Sequence, residues 1–356
     1  MKQNYQELIT EDLDHILDHT KDILEEFRDS RIFVTGGTGF FGTWLLETFA
    51  RANQTLDLKA DLTILSRHPG NFRKKHPHLA AHEHFGFITG DVRDFSFPEG
   101  VFNYVFHLAT EASDELNRNE PLKMFDVIVE GTRHVLDFAI SAGVQNFLLA
   151  SSGAVYGRQP YDMLHISEDY RGGPETSDPL SSYGEGKRVA ELLGSIYSGN
   201  SGLKVKIARC FTFIGPYLPL DKHFAIGNFI LNGIRNQPIF IKGDGSPLRS
   251  YLYAADLVIW LLTILARGKT CYPYNVGSEE AVSIAGLAAL ISASFTPPAP
   301  VKTNPDAEKA SDIERYVPSC QRAMSDLGLE QYVTLHEGIR RTIRFHKEYW
   351  ENDKIK

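Results

Sequence analysis

Three residues in this chain have the types and spacing that suit proton and hydride chemistry. Tyr183 and Lys187 stand at i and i+4 in Ser181-Ser182-Tyr183-Gly184-Glu185-Gly186-Lys187, so in a helix both side chains emerge on one face. A phenol with a pKa near ~10 is a poor base at neutral pH, but a neighbouring ammonium and an oxidised nicotinamide both favour the phenolate. Tyr183 would then take the proton of a hydroxyl while hydride leaves the same carbon. Ser152, in Ser151-Ser152-Gly153-Ala154-Val155-Tyr156-Gly157, follows an apolar strand-like run and would hold that oxygen. A Tyr-x-x-x-Lys spacing alone is common on solvated helix faces. Joined to a serine at a strand end, where α/β folds bind ligands, and to a glycine fingerprint upstream, it marks Ser152, Tyr183 and Lys187 as catalytic candidates.

The fingerprint is Arg31-Ile32-Phe33-Val34-Thr35-Gly36-Gly37-Thr38-Gly39-Phe40-Phe41-Gly42, a β-branched and aromatic run that breaks into glycines and then into a helical pattern. It predicts a strand, a phosphate-binding turn and a helix start. Gly36 would turn the chain off the strand, Gly39 would admit a pyrophosphate, and Gly42 would let the helix pack close to the sheet. The helix start offers unpaired N–H groups and a positive dipole end to the anion. The second strand ends in Ser66-Arg67 rather than in the Asp that accepts hydrogen bonds from an adenosine ribose. That pair suits a 2′-phosphate, so the expected cofactor is NAD(P), with NADP favoured. The alternative is that Arg67 only stacks over adenine, which permits either form.

Elements must position these groups. Strand candidates at 62–65, 85–88, 104–108, 147–150 and 205–208 alternate with helical patterns, which means βαβ units and a Rossmann-type doubly wound parallel sheet. Residues 1–28 carry Leu8, Ile9, Leu13, Ile16, Leu17, Ile23 and Leu24 at near-helical spacing, a helical extension for the main domain or another subunit. The NAD(P)-binding domain is expected over 29–208 with about 250–270, and a smaller substrate-binding domain over 209–249 with 271–350. The chain has 356 residues, 42% of them hydrophobic, and a net charge of −8, an ordinary globular composition whose acidity argues against nucleic-acid or anionic-membrane partners. Cys210, Cys271 and Cys320 are odd in number and widely spaced, so neither a disulfide framework nor a metal site is expected. The acidic start lacks a signal-peptide pattern, and the longest apolar run, 257–266, is too short to span a bilayer; a soluble, cytoplasmic protein is expected. His68, His76, His78, His82 and His84 crowd a polar stretch without zinc spacing and are expected on a solvated surface.

Taken together, these residues resemble the extended short-chain dehydrogenase/reductase family, the nucleotide-sugar epimerases, dehydratases, decarboxylases and reductases. The resemblance covers about residues 30–345. It rests on the glycine turn, Gly90-Asp91-Val92-Arg93-Asp94, His107-Leu108-Ala109-Thr110, Gly131-Thr132, the serine strand, the Tyr-Lys pair, Gly243-Asp244-Gly245 and Arg249 to Asp256. It implies that Asp91 and Val92 lie by the adenine and that Leu108, Ala109 and Thr110 pass under the cofactor. Arg249 looks like the family's arginine on the substrate diphosphate, which a planar guanidinium suits, and Arg315 is a second candidate.

Departures separate the family's members. Its 4,6-dehydratases place an Asp-Glu pair directly after the hydroxyl residue and its glucuronate decarboxylases keep a Glu there; this chain has Gly153-Ala154. Without that carboxyl no acid is evident to expel a hydroxyl, and dehydration is demoted, with Glu111 the nearest other acid in the motif map. Thr212 and Ile128 stand where many relatives carry asparagine, and Asn228 is a candidate replacement. The expected activity is therefore epimerisation of a nucleoside-diphosphate sugar through a transient keto sugar, in a homodimer. The rivals are an NADPH-dependent 4-keto-sugar reductase, a nucleotide-sugar dehydratase and a non-catalytic dinucleotide sensor.

Overall fold

The computed structural model describes residues 7–110, 113–222, 224–304 and 313–353. Seven parallel strands form the central sheet: β1 (Arg31–Thr35), β2 (Asp61–Ser66), β3 (Phe85–Thr89), β4 (Tyr104–His107), β5 (Asn146–Ser152), β6 (Lys204–Cys210) and an edge strand, Pro273–Val276. Their order is edge, β6, β5, β4, β1, β2, β3, so the connection direction reverses between β1 and β4. This is the expected doubly wound sheet, and such a reversal opens a crevice at the carboxyl ends of the strands. The strands are near-continuous apolar runs because both faces are covered: Ile32, Phe33, Val34, Val105, Phe106, Phe147 and Leu148 are all fully buried.

Helix α2 (Phe40–Leu56) leaves β1 through the glycine turn and buries Trp44, Leu45, Leu46 and Phe49. The helices Pro121–Ser141 and Ser182–Ser201 pack on each other, and the Tyr197 hydroxyl donates to Asp137 at 2.6 Å between them. The apolar run at 257–266 lies in the helix Ala254–Arg267, buried from Ala254 to Leu265, which packs under β5 and β6. No helix among the described residues is long and apolar enough to cross a membrane. The amphipathic start forms one helix, α1 (Glu7–Glu25), packed on Ala254–Arg267 and on α2. Its buried Asp12 accepts from the Tyr253 hydroxyl at 2.6 Å and from Arg341 of the last helix, Leu335–Asp353. Burial pushes the Asp12 carboxyl up, and those two partners oppose the shift.

Beyond β6, apart from the edge strand Pro273–Val276 that returns to the central sheet, the described residues build short strand pairs rather than a second large sheet. Leu248–Arg249 lies between Val282–Ser283 and Arg315–Tyr316, in a register that sets Tyr316 beside Arg249. Asp256 is structural: its carboxylate accepts from the backbone N–H groups of Tyr332 and Val333 at 3.2 and 3.0 Å.

In the histidine stretch His68 is exposed as expected and His78, His82 and His84 are half-buried, but His76 departs from a solvated surface. His76 is buried against Phe72 and Tyr217, and His78 bonds Glu47 of α2 at 2.8 Å, because the short helices Pro69–Lys75 and Pro77–Ala80 fold back over the sheet edge. Burial lowers His76 and His346 each to about 4. An unfolded chain takes up protons near pH ~6.5, before these buried imidazoles do, so stability falls as pH drops from there toward 4. Thermal melts over that window are expected to show a steep loss, and His346→Leu, which removes one such group, should make the loss shallower. An identical slope in that variant would remove His346 from the account.

Candidate active site

A cleft of about 1400 Å³ runs along the carboxyl ends of the strands from the glycine turn to Arg249. At one end Gly36 adopts φ +72, and a Cβ there would lie 2.6 Å from the Leu108 backbone. The turn after β1 and the loop after β4 can touch only because that residue lacks a side chain. Gly42 sits beneath the cleft, where a Cβ would lie 2.3 Å from the Gly37 Cα. Helix α2 makes its first backbone bond from Thr43 N–H to the Gly39 carbonyl at 2.8 Å, which leaves the N–H groups of its opening residues without an intrahelical acceptor. Thr38, Gly39, Phe40 and Phe41 line the cleft there, a cradle that fits the pyrophosphate of a dinucleotide.

Ser66, Arg67, Asp91 and Val92 line the next stretch. The Ser66 hydroxyl lies 3.4 Å from that of Thr38, and Asp91 is held by Arg93 at 2.8 Å, a hydrogen bond that lowers its pKa. Asp91 follows β3, whereas β2 runs into Ser66-Arg67-His68 and brings no acid of its own to the cleft. Leu108, Ala109 and Thr110 form the floor. The floor is fixed from below: Thr35 Oγ1 accepts from the Ala109 N–H at 3.2 Å and contacts His107 Nδ1 at 2.8 Å, and His107 Nε2 contacts Thr132 Oγ1 at 3.1 Å. Burial takes His107 down to about 3, so it is a neutral spacer. If the Thr35 hydroxyl gives its hydrogen to Nδ1, then Nε2–H donates to Thr132.

Ser152 ends β5, Cys210 ends β6, and Tyr183 and Lys187 project from the first turns of Ser182–Ser201. The Tyr183 N–H donates to Asn117 Oδ1 at 3.2 Å, which pins the helix start. Lys187 is buried, and its ammonium donates to the Ala150 carbonyl at 2.7 Å and to Thr110 Oγ1 at 2.8 Å. Burial brings Lys187 down to about 8 and pushes the Tyr183 phenol up, while hydrogen bonding with Ser152 opposes the latter. The ammonium stands 6.0 Å from the Tyr183 ring centroid. In the protein alone, the Tyr183 phenol is therefore set by burial against the Ser152 hydrogen bond, not by Lys187.

The substrate-side candidates divide. Thr212 and Arg249 line the cleft; the Thr212 hydroxyl donates to the Ser250 carbonyl, and Arg249 pairs with Glu314 at 2.5 Å. Asn228, in the helix Ala225–Ile234, and Arg315 are not among the lining residues. Arg315 alternates with Tyr316 on a short strand and keeps a buried Nε without a partner. Glu111 lies outside the described residues. Gly153 is packed so closely that a Cβ would lie 2.7 Å from both the Phe211 ring and the Tyr316 hydroxyl. The sequence reading missed Tyr316, whose hydroxyl is 3.5 Å from Ser152 Oγ. Only its place next to Arg315 hinted at the site. No group of His, Cys, Asp or Glu among the described residues could hold a metal.

A family model described as the NAD dependent epimerase/dehydratase family matches residues 32–277. The chain belongs to that family. Among curated relatives of this epimerase/dehydratase family member, UDP-glucuronic acid decarboxylase 1 of Danio rerio is 29% identical over 329 residues, 92% of this chain and 75% of that protein. UDP-glucuronic acid decarboxylase 6 of Arabidopsis thaliana is 30% identical over 313 residues, 87% of this chain and 86% of that protein. Among solved structures, an epimerase of Methanothermobacter thermautotrophicus superposes with a TM-score of 0.80 at 26% identity, covering 95% of this chain and 98% of that one. UDP-glucose 4-epimerase of Thermotoga maritima, solved with UDP-glucose, shares the fold with a TM-score of 0.74 at 23% identity, covering 90% and 99%. The protein is thus an enzyme of an NAD-dependent nucleotide-sugar family.

Tyr183→Phe keeps the ring and removes the ionisable hydroxyl. Turnover is expected to fall by at least ~10²-fold while dinucleotide affinity, measured by calorimetry, stays within a few-fold of the parent. Unchanged turnover would remove Tyr183 from the chemistry.

Proposed function

We propose that this enzyme epimerises a nucleoside-diphosphate sugar through a transient keto sugar. The observation that carries the reading is the pairing of Ser152, Tyr183 and Lys187 at the cleft with a Gly153 whose side-chain space is already filled by Phe211 and Tyr316. Tyr183 takes the proton from a ring hydroxyl, and Ser152 donates to the same oxygen. Lys187 holds the Ala150 carbonyl and Thr110 in place and keeps a positive charge near the phenol. Leu108, Ala109 and Thr110 would hold a nicotinamide, whose chemistry would be to accept and return the hydride. Tyr183 then gives its proton back once the keto sugar has presented its other face. Arg249 would leave Glu314 for the substrate diphosphate.

Dehydration and the decarboxylation named for the curated relatives share the oxidation step. By resemblance, the enzymes that perform them carry a carboxyl at the positions of Gly153-Ala154, which this chain lacks. Incubation with UDP-, dTDP-, GDP- and CDP-hexoses and UDP-glucuronate is expected to give products of unchanged mass and inverted configuration, read by mass spectrometry and NMR. Loss of water or of carbon dioxide would refute the epimerase reading.

A second reading is favoured by Arg67, which lines the cleft directly after β2, a strand end without an acid of its own. This reading is a 4-keto-sugar reductase consuming NADPH. Arg67→Asp would then shift the ratio of NADP to NAD dissociation constants toward NAD by about 1–3 kcal/mol, since a carboxylate repels a 2′-phosphate. An unchanged ratio means Arg67 does not read that position.

We also propose a homodimer. Leu192 and Ile196, 59% and 48% exposed, are one turn apart on Ser182–Ser201 and form an exposed apolar stripe among the described residues. Replacing both by glutamate should give a monomer in light scattering if this face is the interface, and leave the mass unchanged if it is not.

A further inference from the structure

The Tyr316 hydroxyl enters the reading above only as bulk beside Gly153, yet it stands 3.5 Å from Ser152 Oγ at the reacting centre. Its ring packs on Phe211 with centroids 4.7 Å apart, and its strand sets it beside Arg249. Its hydroxyl faces Ser152 Oγ at 3.5 Å, a long contact of the kind that tightens when a ligand closes the site. Ser152 Oγ already accepts from the Ala154 N–H at 3.1 Å. A serine oxygen has two acceptor positions and one hydrogen.

We propose that Tyr316 is a positioning residue that fills the second acceptor position of Ser152 and so leaves the Ser152 hydrogen free only to be donated. Either hydroxyl could donate in this contact; Tyr316 is assigned as the donor because the single Ser152 hydrogen is then left for Tyr183, with which Ser152 is also hydrogen-bonded. The Ser152 hydrogen then points to the Tyr183 phenolate or to the substrate oxygen. Gly153 is the counterpart of this arrangement: with a Cβ 2.7 Å from the Tyr316 hydroxyl, any larger residue would push that hydroxyl away from Ser152. The place that an acid would take after Ser152 is given to a neutral donor reaching in from a strand 164 residues away.

The inference rests on the acid/base role proposed for Tyr183, and its test reads ionisation rather than turnover, so the two can fail separately. Protein labelled with 13C at tyrosine Cζ and saturated with NAD is titrated by NMR, the Tyr183 signal being assigned by its loss in Tyr183→Phe. Donation to the phenolate favours the charged form, so removing Tyr316's hydroxyl in Tyr316→Phe should raise the Tyr183 midpoint by about half a pH unit or more. Gly153→Ala should raise it in the parent and add nothing in the Tyr316→Phe background. A midpoint unmoved in Tyr316→Phe, or an equal Gly153→Ala effect in both backgrounds, overturns the proposal. On a substrate found in the panel, Tyr316→Phe should lower kcat several-fold with KM within about twofold, because the missing bond acts on the transition state. If the midpoint moves while the panel shows no epimerisation, the positioning role stands and the proposed reaction falls.

Discussion

The buried ammonium of Lys187 is the contact on which the site's geometry depends. It bridges a carbonyl at the end of β5 and the Thr110 hydroxyl in the loop after β4, so one charge joins two strands and the helix that carries Tyr183. Burying a lysine costs free energy, which its depressed pKa records, and the cost is tolerated because two of its three donors are satisfied in fixed directions. A short polar residue there would leave the Ala150 carbonyl without its donor and the loop under the cofactor unanchored. The close approach of Gly36 to Leu108 sets the same loop from its other side. Floor and acid/base are therefore located by one shared set of contacts.

A second buried network holds the outer strands to that centre. Arg209 on β6 makes paired bonds to Glu191 at 2.9 and 2.7 Å and a third to the Tyr156 hydroxyl at 2.9 Å, and that hydroxyl donates to Asn275 of the edge strand at 2.7 Å. Glu191 also accepts from Ser151, the neighbour of Ser152, at 2.5 Å. The charges compensate one another in a region of low exposure, so the carboxyl ends of β5, β6 and the edge strand move as one body. That rigidity suits a reaction in which a sugar must turn while the groups around it stay still.

Much of this was legible in the amino-acid order, for identifiable reasons. The sheet strands announce themselves because burial on both faces forces unbroken apolar runs, and the glycine turn because close backbone contacts exclude side chains at fixed intervals. Tyr183 and Lys187 are readable because both lie on one helix, whose periodicity converts spacing into direction. Tyr316 was not readable: it belongs to a two-residue strand without periodicity, and its relation to Ser152 is set by how the C-terminal segment crosses the cleft. His76 misled for a similar reason, since a polar-looking stretch becomes interior only once Tyr217 is laid against it. Nor could local order show that Arg249 would meet Glu314, 65 residues on.

The carboxylate of Asp12 has a consequence for how the chain is made. Its guanidinium partner, Arg341, lies 329 residues downstream, so the two groups do not meet until synthesis has passed that residue. At about 5–20 residues per second, that interval is roughly 15 to 65 s on the ribosome. For most of it, α1 carries an acid and an apolar stripe that only α2 can cover, because the helix Ala254–Arg267 does not yet exist. Helix α1 is thus made long before Arg341 can secure it, and for that period it is open to proteases and chaperones.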